Sequence, residues 1–137
     1  MWTGNIFTRQ VEDIRFTGDF AAATIVAHEF GHHIQFQLAT DLGKTGPTQP
    51  QSELIADCFA GVWAYSVAVD GYLEEGDVDE AMNALAVIGD NPGSGVSHGT
   101  ASERSNAFAI GLYGTVADPR GGVPQNCIAA YWPGFNA

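Results

Sequence analysis

Apolar side chains recur at Ile25, Phe30, Ile34 and Leu38, with alanines nearby, and this spacing predicts a helix over residues 21–39. The turn-rich run "GKTGPTQPQ" then predicts a loop. A second helix is expected from near Ser52 through "ELIADCFAGVWAYSVAV", stopping at Gly71. Asp77 with Glu80 reads as a capping pair opening a third helix, "VDEAMNALAVI", which ends before Gly89. Thr100 with Glu103 reads as a capping box opening "ASERSNAFAIGLY", and Gly114 ends that helix. The pieces "NIFTR" and "DIRF" are β-prone and predict a strand or extended edge within residues 4–16. Beyond Gly114 lies a Gly/Pro-rich tail whose aromatic cluster, Tyr131, Trp132 and Phe135, is expected to pack rather than to bind substrate. The expected fold class is mainly α (α+β), with four helices and at most a small N-terminal β element. A length of 137 residues suits one domain, residues 1–137, around one core.

Within the first helix the apolar pattern is interrupted by chemistry. The run "IVAHEFGHHIQ" carries His28, Glu29, His32 and His33 among Ile25, Val26, Phe30 and Ile34. Ionisable groups are costly to bury unless paired or bound to a metal. His28 and His32 stand at i and i+4, one turn apart, with Cβ atoms roughly 5–6 Å from each other. Two imidazoles so placed can converge on one zinc ion. Glu29 points beside that ion, where a general base for a metal-activated water is needed, as in the H-E-x-x-H pattern. His33 lies about 100° round the helix from His32 and cannot share their metal, so it is read as a histidine on the surface or one that supports the ligands from behind. Gly31 leaves room for a substrate or another backbone to approach.

A catalytic zinc site needs a third protein ligand and one open position. An extended HExxHxxGxxH pattern would place Gly at 35 and His at 38, but Gln35 and Leu38 stand there, which excludes that class. A di-iron site would need a second Glu-x-x-His, and the chain has none. The second helix offers acids instead: Glu53 and Asp57, at i and i+4 amid Leu54, Ile55, Phe59 and Val62. Glu53 can complete a His₂Glu set, and Asp57 can accept the other ring N–H of a ligand histidine and fix its tautomer.

Together, "VAHEFGHHIQ", "ELIADCFAGVWA" and "HGTASER" resemble the bacterial neutral zinc metallopeptidase family, over roughly residues 19–113. The resemblance implies a zincin-like core with one bound Zn²⁺, His28, His32 and Glu53 as ligands, and Glu29 as the catalytic residue. Members of that family usually have more chain before the HExxH helix, so the sequence is expected to be a short or N-terminally truncated member. His98 is a candidate oxyanion donor, raised by the resemblance, with Tyr65, Tyr72 and Tyr113 as alternatives. Arg104 is a candidate to pair with a buried acid such as Asp57.

Composition narrows the function. Acidic residues outnumber basic ones 16 to 5, and the net charge of −11 argues against nucleic acid or an anionic membrane as a partner. No stretch approaches the roughly 18 consecutive apolar residues of a membrane span, and the first twenty residues show no signal peptide. Cys58 follows Asp57 and so faces away from the site; a Cys58–Cys127 disulfide is expected, which suits an exported protein. The expected function is a zinc-dependent peptidase acting on a peptide or protein. The alternatives are a non-catalytic, zinc-stabilised exported module, or a zinc amide hydrolase acting on a cell-wall peptide or another non-protein amide.

Overall fold

The computed structural model describes residues 20–89 and 100–135, which form helices α1 (Phe20–Leu42), α2 (Gln49–Val69), α3 (Asp77–Gly89), α4 (Ala101–Tyr113) and α5 (Pro124–Tyr131). The fold is mainly α, and no strand occurs among the described residues. The β-prone pieces within residues 4–16 lie outside them, as does His98.

Local chemistry explains where the helices start. Thr48 caps α2: its hydroxyl accepts from the Gln51 N–H, and the Gln51 side chain accepts from the Thr48 N–H. With Pro50 in the first turn, this box starts α2 ahead of Ser52, the expected start. Thr100 and Glu103 form the expected reciprocal box on α4. The expected pairing of Asp77 with Glu80 is not formed. Asp77 instead accepts from the Glu74 N–H. Glu80 accepts from the Ala21 N–H at the start of α1, where a carboxylate is favoured by the helix dipole.

The tail holds a helix that its Gly and Pro content hides. Pro124 falls in the first turn of α5, where its missing N–H costs nothing. Trp132, just past α5, is 3% exposed, and its indole N–H donates to the Thr45 carbonyl at 3.1 Å. The aromatic tail thereby closes over the α1–α2 loop.

Helix α2 lies at the centre, packed against α1, α4 and α5, while α3 packs on α1 and α4. Every residue from Ile55 to Gly61 is buried, so neighbours cover α2 on all sides here. One core cluster joins Ile55, Cys58, Phe59, Ala107, Cys127 and Trp132; another joins Ala60, Ala64, Ala81, Leu85, Phe108 and Leu112. Among the described residues, α2 alone has the length and composition to cross a bilayer, but half of that stretch is buried within the fold, as in a core helix. Gly61 on α2 and Gly111 on α4 face each other's backbones. A Cβ at Gly61 would strike the Phe108 carbonyl, and one at Gly111 the Cys58 carbonyl. Two glycines therefore set how closely α4 approaches α2.

The Cys58–Cys127 disulfide joins α2 to α5 across a sequence separation of 69, with Cα atoms 5.6 Å apart. Closing so long a loop restricts the unfolded chain and contributes about 3–5 kcal/mol on the chain-entropy model. Reduction, or paired Cys58→Ala and Cys127→Ala substitutions, is expected to lower unfolding stability by that amount. A denaturant midpoint unmoved by reduction would contradict the assignment.

Candidate metal centre

The face that α1 buries is polar. Its buried residues are Thr24, His28, Gly31 and Gln35, whereas Phe30 and Phe36 are 55% and 68% exposed. Of the apolar residues that reveal the helix, Phe30 is exposed, whereas Ile34 and Leu38 are half-buried and pack against the core cluster of α2 and α5. Gly31 lets the polar face seat closely beside them: a Cβ there would lie 3.0 Å from Ala56 Cα and 3.1 Å from the Ala56 carbonyl oxygen. Of the two uses that the sequence suggested for Gly31, the structure shows backbone approach. With α1 seated this closely, His28 and His32 overhang the first turns of α2.

Both imidazoles present Nε2 to one point. The two Nε2 atoms are 3.2 Å apart. Glu53 Oε2 is 3.2 Å from His28 Nε2, and Glu53 Oε1 is 3.3 Å from His32 Nε2. Ligand atoms about 2.0–2.1 Å from a tetrahedral zinc ion stand about 3.3–3.4 Å from one another. The two Nε2 atoms are spaced close to such an edge, and Glu53 faces each imidazole with a different carboxylate oxygen, so the three side chains converge closely enough to hold a zinc ion. Among the described residues, His28, His32 and Glu53 are the one cluster of His, Cys, Asp and Glu with ligand atoms close enough to hold a metal.

Beyond the cluster, Asp57 and Arg104 are both fully buried. His28 Nδ1–H donates to Asp57 Oδ1 at 2.7 Å. Arg104 grips the same carboxylate with two donors, Nε to Oδ2 at 2.6 Å and Nη2 to Oδ1 at 2.7 Å. Nη2 also lies 3.5 Å from Glu53 Oε2. The guanidinium thus spans the acid that holds His28 and the acid that faces both histidines. Glu29 stands apart: its side chain is 69% exposed, and Oε1 is 3.9 Å from His28 Nε2. It lies beside the cluster and open to solvent.

The other candidates are elsewhere. His33 is exposed, with its ring beside Phe30, and Cys58 is in the disulfide. Tyr65 lies against the Gly121–Gly122 turn, and Tyr72 and Tyr113 are exposed. Sequence reasoning missed two residues. Ser52 Oγ lies 3.0 Å from His32 Nδ1, and the Gln35 amide donates to the Ser52 carbonyl at 2.9 Å. The available signals were slight: Ser52 precedes Glu53, and Gln35 ends the run "VAHEFGHHIQ", one turn beyond His32.

These contacts agree with comparisons to known proteins. Residues 4–119 match the family described as "Putative neutral zinc metallopeptidase". The chain belongs to this family. Its relatives include the uncharacterized protein YpfJ of Escherichia coli K12, 37% identical over 117 residues, covering 69% of this chain and 40% of the relative. The uncharacterized protein Rv2575 of Mycobacterium tuberculosis H37Rv is 36% identical over 123 residues, covering 69% of this chain and 41% of the relative. The chain therefore spans about two fifths of the length of these relatives. No solved structure matches it.

Charge coupling in the metal-free site is strong. Burial alone would lower the His28 pKa, but hydrogen bonds to Asp57 and Glu53 and their charges outweigh it, raising the value to about 9. Burial likewise pushes Glu53 up, yet hydrogen bonds from His28 and His32 overcome this and hold its carboxyl well below the usual range. The raised His28 value stabilises the fold fully below its unfolded pKa, near 6.5, and is lost as pH rises through about 9. The lowered Glu53 value contributes above the unfolded carboxyl pKa and is lost as pH falls below it. The melting temperature of the metal-free protein is therefore expected to fall between pH 6.5 and 9.5. Saturating zinc, which replaces the proton between the same groups, is expected to flatten that fall. A metal-free melting temperature constant over this window would contradict the coupling.

Proposed function

We propose that the chain carries the zinc centre and the catalytic glutamate of a peptidase, with His28, His32 and Glu53 as ligands and Glu29 as general base. The supporting observation is the convergence of His28 Nε2, His32 Nε2 and the Glu53 carboxylate, with Glu29 beside them and exposed. Bound zinc would polarise the scissile carbonyl and bring the pKa of water near 7.

The remaining steps fall to side chains. Glu29 takes the proton of the attacking water and returns it to the departing amine, so the one carboxylate acts as base and then as acid. Its exposure suits this work, because the carboxylate must reach both water and substrate. Asp57 keeps the proton of His28 on Nδ1 and so leaves Nε2 free to ligate. Arg104 restrains Asp57 with two hydrogen bonds and so limits rotation of the acid away from His28. A non-catalytic zinc module would have no use for an exposed Glu29 at this position. The disulfide fits an exported setting, which we include in the proposal.

Glu29→Gln is the direct test, since it keeps the shape and removes the base. The variant is expected to retain zinc at the wild-type stoichiometry and to lose peptide hydrolysis about 10²–10⁴-fold. Hydrolysis at the wild-type rate would rule out the assigned mechanism. No hydrolysis by either form, with zinc bound in both, would favour the non-catalytic module.

A further inference from the structure

We propose that Ser52 is the positioning residue for His32, and that Gln35 holds Ser52 in register. The assignment rests on the metal-centre reading above and deepens it. A ligand imidazole is oriented by whatever its second nitrogen touches, and a metal-binding histidine usually gives its other N–H to a fixed acceptor. His28 has such an acceptor in Asp57. The residue that meets the second nitrogen of His32 is Ser52, with Oγ 3.0 Å from Nδ1.

This contact has a built origin. Serine in a helix commonly turns its hydroxyl back to the carbonyl one turn earlier. The Ser52 hydroxyl meets α1 instead. Gln35, 3% exposed, donates from Nε2 to the Ser52 carbonyl at 2.9 Å. Its own carbonyl oxygen is buried without a partner. Turning the amide over would place oxygen against oxygen, so the observed orientation is the one the site can hold. His32 and Gln35, three residues apart on α1, thus grip the hydroxyl and the carbonyl of a single residue on α2. That double contact fixes the register in which Glu53, the next residue, meets both Nε2 atoms.

The chemistry of the two partners also differs. A carboxylate only accepts, so Asp57 commits His28 to one tautomer. A hydroxyl both donates and accepts. Ser52 can therefore stay bonded to His32 when the ring proton is on Nδ1, as metal ligation by Nε2 requires, and when it is on Nε2. His32 keeps its orientation in both states.

The test is zinc affinity, measured by competition with a chromophoric chelator on the full chain, for wild type, Ser52→Ala and Ser52→Thr. Ser52→Ala is expected to weaken zinc binding about 10–100-fold and to shift the visible absorption of the cobalt-substituted protein. Ser52→Thr, which restores the hydroxyl, is expected to recover both the affinity and the spectrum. Wild-type affinity and spectrum in Ser52→Ala would overturn the assignment while leaving the metal centre intact. Equal weakening in Ser52→Ala and Ser52→Thr would overturn the role of the hydroxyl. A wild-type chain that holds no zinc would overturn the metal-centre reading itself, and this assignment with it.

Discussion

Two buried charges determine how the helices meet. Asp57 on α2 and Arg104 on α4 are fully inside the protein and joined by two short hydrogen bonds. Neither could stay there alone, because an unpaired buried charge costs several kcal/mol. Such a pair is weak evidence for stability, since well-packed apolar residues of similar volume often serve as well. Its value here is positional. The bidentate fork fixes the orientation of Asp57, Asp57 fixes the ring of His28, and the other guanidinium contact reaches toward Glu53. Two pairs of backbone approaches support this arrangement. Gly61 and Gly111 bring α4 close to α2, and Gly31 brings α1 close to Ala56.

The consequence is a helix whose fully buried positions are mostly polar, with half-buried apolar side chains such as Ile34 and Leu38 packed beside them. Where an amphipathic helix ordinarily buries an apolar stripe, α1 buries Thr24, His28, Gly31 and Gln35. These groups lose water on docking, and the structure replaces it with bonds. Thr24 donates to the Phe20 carbonyl, His28 to Asp57 and Gln35 to the Ser52 carbonyl, while His32 Nδ1 pairs with the Ser52 hydroxyl. Apolar packing surrounds this polar face: one cluster joins α2, α4 and α5 with Ile34 and Leu38 of α1 against it, and the other joins α2, α3 and α4.

Much of this was legible in the chain because it is written in local patterns. The i, i+4 spacing of His28 with His32, and of Glu53 with Asp57, survives any error in helix boundaries. The Thr100–Glu103 box and the terminating Gly71 and Gly114 also act within a few residues of themselves. What escaped depends on contacts between distant segments. The apolar rhythm of Ile25, Phe30 and Ile34 signals a helix without saying which face is buried, and only the close seat of Gly31 on Ala56 decides that. Glu80 looked like a cap for its own helix because its true partner, the Ala21 N–H, is 59 residues away. Helix α5 was masked by flanking Gly and Pro, although Pro at a first turn is itself a helix-start signal. Gln35 closes the motif run "VAHEFGHHIQ" but nothing local gives its role, and Ser52 carries no motif; the contact between them becomes visible only once α1 lies on α2.

The claim on which everything else rests is that His28, His32 and Glu53 converge on one zinc ion. An anomalous-difference map across the zinc absorption edge, from crystals of the zinc-loaded protein, tests it most directly. The account predicts a single strong peak enclosed by His28 Nε2, His32 Nε2 and the Glu53 carboxylate. Zinc bound to other side chains, with no peak at that point, would contradict it.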